Sequence, residues 1–152
     1  MSYTTAEGRE QILDELAQAT GQIELALSYL SDAYELVDEN VGDRLEEELF
    51  APVQAAVARG KRTHTEFARR VGMTRPALQA PSGGHRPHGA RDLIGAAADA
   101  AEQADQWIAE LQDSMLPVEV GDPELRAGLA DTRSLLAAVP AAAHELVRTL
   151  GR

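Results

Sequence analysis

A chain of 152 residues with 44% apolar and 26% charged residues is long enough to bury a core and too apolar to stay disordered. Its formal charge of −11 repels polyanions at long range, and the lack of cysteine removes disulfides, thiolate nucleophiles and Cys-ligated metals. No window approaches the roughly 18 consecutive apolar residues of a membrane span, and the opening MSYTTAEGRE has no basic start or apolar run, so neither a span nor a secretory signal is expected.

Aromatics make up only 4% and alanine is abundant, which lets backbones approach closely and favours helix on helix. A first helix is expected over about residues 4–40. Thr4-x-x-Glu7 forms a capping box at its start. Leu13, Leu16, Thr20, Ile23, Leu27, Leu30, Tyr34 and Val37 then follow at three- and four-residue spacing, the stripe of helices that cross near 20°. Gly42 is the expected left-handed cap, and Asp43-x-x-Glu46 a second capping box.

The second helix is expected over about 43–72, with the seam Leu45, Leu49, Val53, Ala56, Gly60, His64, Phe67 and Val71. Pro52 lies inside it, which predicts a kink or a short first segment ending near Phe50. Gly72 closes the helix. Residues 73–90 read as a linker with at most one helical turn, from Thr74 to Gln79. Such a linker is long for a compact domain, and it permits either a tight return or a crossover along the whole molecule.

A third helix is expected over about 91–116, with the seam Ile94, Ala97, Ala101, Ala104, Ile108, Leu111 and Met115, and Pro117 as its stop. Asp122-Pro123-Glu124 then opens a fourth helix over about 123–150, with an aspartate cap and proline in the first turn. Pro140 should bend that helix near Leu136. The expected fold is therefore all-α: a single four-helix-bundle domain of two antiparallel hairpins joined by a long Pro/Gly/Arg-rich loop.

Charge is segregated along the chain. Residues 59–91 hold eight of the fourteen cationic side chains against one acid, Glu66, for a net +7. Residues 1–58 carry −11 and residues 92–152 carry −7. A basic hinge thus separates two acidic hairpins.

Within that hinge, TEFARRVGMTRPALQ (65–79) resembles the core of a helix-turn-helix: an apolar helix end, a turn glycine, a Thr74 cap and an inward Leu78. The resemblance implies a DNA-binding regulator, with Arg75 and Gln79 facing bases and Arg69 and Arg70 on phosphates. The segment departs from that pattern where Ala80-Pro81-Ser82-Gly83-Gly84 cuts the second helix short. A second option is an anion or small-ligand site built from His85, Arg86, His88 and Arg91. Opposite potentials favour laying those cations on the chain's own acidic helices.

No Glu precedes His64, His85, His88 or His144 by three residues, which counts against a di-iron bundle, and His85-x-x-His88 lies among arginines that disfavour a cation. No nucleophile elbow or phosphate-cradling glycine loop occurs. No metal and no cofactor are expected. The reading is a non-enzymatic, cytoplasmic protein–protein interaction module, with a protein partner or a second copy as ligand. Nucleic acid and membrane are disfavoured as partners. Trp107 and the acidic run Glu46, Glu47 and Glu48 are the candidate interface residues.

Overall fold

The computed structural model describes residues 5–74, 78, 81 and 85–150, and every regular element among them is helical. In chain order these are α1 (Thr5–Tyr34), α2 (Glu39–Leu45), a π turn (Glu46–Phe50), α3 (Ala51–Arg70), α4 (Ala90–Asp113), α5 (Leu116–Val120), α6 (Pro123–Leu136) and α7 (Val139–Leu150).

Two breaks fall where the sequence reading did not put them, after Tyr34 and after Asp113. The first helix ends at Tyr34 instead of running to 40. Asp38, in extended backbone, is the real cap of the next helix: its carboxylate accepts from the Val41 amide at 2.9 Å. Gly42 is no left-handed cap but a buried position inside α2. A Cβ there would come within 3.3 Å of the Tyr34 ring, so the glycine makes room for an aromatic. The third helix stops at Asp113, before Pro117. Met115 takes a left-handed φ of 70°, a conformation that costs a side chain about 1 kcal/mol or more. Pro117 then sits in the first turn of the short α5, and Gly121, at φ 74°, closes it. The last helix is interrupted at Ala137–Ala138, next to Leu136 where Pro140 is expected to disturb it, and this divides α6 from α7 with Pro140 at the start of α7.

Pro52 is absorbed differently from a simple kink. The chain stays helical from Glu39 to Arg70, but the turn before the proline widens, and Ala51 N–H bonds back to the Glu46 carbonyl five residues earlier. A π turn lengthens the local repeat and relieves the clash that a proline ring makes with the carbonyl four residues before it.

Two apolar clusters show how the elements run. One joins Ile12, Leu13 and Leu16 from early α1, Phe67 from late α3, Ile108 and Leu111 from late α4, and Leu125 and Leu129 from early α6. The other joins Ile23 and Leu30 from late α1, Leu49 and Val53 near the start of α3, Ile94 and Ala97 from early α4, and Val139 and Leu146 from α7. It follows that α1 runs antiparallel to α3 and α4, and that α3 and α4 run in the same direction. The packed neighbours are α1 with α4, α1 with α3, α3 with α6, and α4 with α6 and α7. Because α3 ends at one end and α4 begins at the other, the connection after Arg70 has to travel the length of the molecule. Nineteen residues reach at most about 63 Å, against about 36 Å for a helix the length of α4, so the span is feasible. Ala97, Ala101 and Ala104 are fully buried, so these small residues are used for close helix packing.

Between the clusters lies a waist of small and polar residues: Thr20 from α1, Gly60, Thr63 and His64 from α3, and Gly128 and Thr132 from α6. Thr63 and Thr132 donate their hydroxyls to the carbonyls of Arg59 and Gly128, four residues back. A Cβ on Gly60 would meet Thr20 Oγ1 at 2.8 Å, and one on Gly128 would overlap the Thr63 side chain outright. Gly128→Ala should therefore destabilise by about 1–3 kcal/mol through overpacking. Gly95→Ala, on α4 with open space around the added methyl, should stabilise by about 0.5–1 kcal/mol. Urea unfolding of both variants checks the contrast; equal responses would mean that α3 and α6 do not touch at the waist.

Candidate interaction surface

The basic stretch turns its charge onto the chain's own carboxylates. At the end that holds the Phe67 cluster, here the lower end (the Ile23 and Leu30 cluster marking the upper), α3 closes in a Schellman turn: Gly72 N–H bonds to the Arg69 carbonyl and Met73 N–H to that of Ala68, with Gly72 at φ 71°. The last helical residue, Arg70, reaches across to the start of α6. Its Nε and Nη2 donate to Asp122 at 2.9 and 2.8 Å, and its Nη1 lies 2.9 Å from Glu124. Asp122 also caps α6 by accepting from the Leu125 amide at 2.9 Å. Burial pushes the Asp122 carboxyl upward, but the bonds from Arg70 and from the Leu125 and Glu124 amides outweigh it, so the group is more acidic than its usual 3.8. The same bond to Asp122 raises Arg70.

Further cations are held the same way. Arg59 bonds to Asp131 through Nε and Nη2, at 3.2 and 3.0 Å, and straps α3 to α6. Lys61 lies 2.6 Å from Glu24 of α1. Arg133 bonds to Asp105 at 2.8 Å and to Gln112 at 2.9 Å, straps α6 to α4, and is raised chiefly by the Asp105 bond. Each such exposed pair contributes only about 0–1 kcal/mol, so what they determine is where the charge points.

The residues singled out for DNA or anions fall into different places. Arg70 is engaged as above, while Arg69 is exposed on the last turn of α3. Arg75 and Gln79 lie outside the described residues. Thr74 and Leu78, the described parts of the expected turn, are not helical. His85 and His88 stack edge to face with ring centres 6.0 Å apart. Arg86 lies on α1: its Nη2 donates to Ser28 at 2.9 Å and to Asp32 at 2.5 Å, and its Cζ sits 4.7 Å over the Tyr29 ring. Arg91 is exposed on α4 and lines a shallow groove with Asp92, Asp99 and His144 of α7. Buried His64 belongs to the waist. Among the described residues no three His, Asp or Glu side chains converge as a metal site, and no helix is long and apolar enough to cross a membrane.

At the upper end the balance is reversed. Residues 35–48 contain seven acids and one base, Arg44, which pairs with Glu48 at 3.0 Å. Glu46 and Glu47 are exposed on the π turn. Beside them lies a groove of about 230 Å³ lined by Ser31, Tyr34 and Glu35 from the end of α1 and by Glu46 and Phe50 from the π turn. Tyr34 is 44% exposed, and nearby Leu36 is 55% exposed. Trp107 sits far from this face, half-buried against the lower cluster. Sequence reasoning found the acidic run but missed Tyr34 and Phe50 as a pair, because it assigned Tyr34 to the core stripe.

The folded Asp122 carboxyl is the stronger acid. Its contribution is complete above the unfolded pKa and fades as pH falls through the lower, folded value. Asp122→Asn keeps a capping oxygen but cannot titrate. The stability gap between wild type and this variant should be flat near neutral pH and shrink on acidification below about pH 4, as urea unfolding at each pH would read; a gap that grows would contradict the pairing. No family model, curated protein or solved structure matches this chain, so its function is argued from its own residues.

Proposed function

We propose that this chain is a non-enzymatic helical interaction module, a four-helix bundle that binds a basic partner protein through its acid-rich upper end. The observation that carries the reading is the disposition of charge. Arg59, Lys61, Arg70, Arg86 and Arg133 are drawn onto carboxylates of neighbouring helices, while the surplus of acids collects over residues 35–48. An exposed patch of one sign steers oppositely charged partners toward it and sets their orientation. Two copies would bring like charges together there, so the partner at this face is a different protein. Freedom from cysteine suits the chain to a reducing compartment such as the cytoplasm.

The same charge distribution leaves little for DNA. Of the cations that the helix-turn-helix likeness would use on phosphates, Arg70 is already paired twice. Titration of the full chain with a short basic peptide should give binding that weakens as salt rises. The double variant Glu46→Gln/Glu47→Gln should weaken it further, by about threefold or more at low salt. Duplex DNA should give no shift under the same conditions. DNA binding without peptide binding would overturn the proposal.

A further inference from the structure

The chain contains its own example of how an arginine is held. On α1, Ser28, Tyr29 and Asp32 supply a hydroxyl, an aromatic face and a carboxylate, and Arg86 uses all three. At the end of α1 and just past it, Ser31, Tyr34 and Glu35 supply the same three kinds of group at a different spacing. These three line the groove at the upper end, facing Phe50 and a second carboxylate, Glu46. No cation of the chain is paired with Glu35 or Glu46 among the described residues.

We infer that this groove is an arginine-recognition site, whose occupant is an arginine side chain of the basic partner. The inference rests on the interaction-module reading above and adds a specific anchor to it. A guanidinium is planar and weakly hydrated. It stacks on aromatic faces and donates to carboxylates from a fixed fork, whereas an ammonium is a strongly hydrated point charge with neither a planar face nor a fork. The groove offers two rings for the first contact, and two acids for the second, with Ser31 as a further acceptor. Its volume, about 230 Å³, is below the usual range of small-molecule pockets and suits a single side chain.

The second wall comes from the π turn, which carries both Glu46 and Phe50; four residues apart, they lie on one side of the helix.

Two acetylated, amidated peptides of equal charge test this, one with arginine at every basic position and one with lysine. Calorimetric titration into the full chain should show the arginine peptide binding more tightly. Tyr34→Leu, at an exposed position, should reduce affinity for the arginine peptide by about two- to fivefold and narrow the difference between the peptides. Glu35→Gln should weaken both peptides. Equal binding of the two peptides, unchanged by Tyr34→Leu, would overturn the groove while leaving a diffuse acidic surface. No binding of either peptide at low salt would overturn the groove and the interaction-module reading together.

Discussion

The constraint on which everything else depends is the direction of α4. It runs parallel to α3, so the chain must return along the whole molecule between them. The returning segment carries two cations of the basic stretch, Arg75 and Arg86, between those of α3 and Arg91 of α4. It ends beside α1, where Arg86 is caught by Ser28, Tyr29 and Asp32. Topology therefore carries a positive stretch from the lower end, where Arg70 grips the start of α6, to the upper end. Were α4 to start at the lower end, a short turn would suffice, and those cations would crowd together instead of being distributed along acidic helices.

Stability and charge are separate matters in this molecule. Apolar burial in the two clusters holds the helices together, and each surface ion pair adds little. The pairs matter because, in a molecule of net charge −11, they turn Arg59, Lys61, Arg70, Arg86 and Arg133 onto neighbouring helices and leave the acids of residues 35–48 with one base among them. The waist at Gly60, Thr63 and Gly128 fixes α3 against α1 and α6 at close range. Small shifts along the helix axes would bring methyls into contact with backbone there.

Much of this was legible in the residues. The three- and four-residue spacing of Leu13, Leu16, Ile23 and Leu30 marked a buried stripe, and all four are buried. Asp122-Pro123-Glu124 announced a cap, and Asp122 provides one. The opposite charges of the middle and the flanks implied that the arginines would lie on their own helices, as Arg86 does. What the sequence concealed was local. The break expected at Gly42 comes earlier: Asp38 caps the next helix and Gly42 lies inside it, against the Tyr34 ring. Pro52 signalled a disturbance but not that a wider turn would absorb it. Met115 gave no hint of a left-handed backbone, because that strain is imposed by the docking of Leu116 into the lower cluster. The direction of α4 could not be read from linker length, since a long linker permits both routes. It follows only from which side chains share a cluster.

The central claim, that the arginines are held by their own chain, is measured most directly by the arginine Nε–Hε signals in a nitrogen-15-edited proton spectrum of the full chain. Arg59, Arg70 and Arg133, whose Nε–H groups donate to carboxylates, should give resolved signals that exchange slowly with water, while the exposed Arg62 and Arg69 should be averaged by fast exchange. A spectrum in which all of them exchange at the same fast rate would contradict the account, because the cations would then be loose and the charge segregation lost.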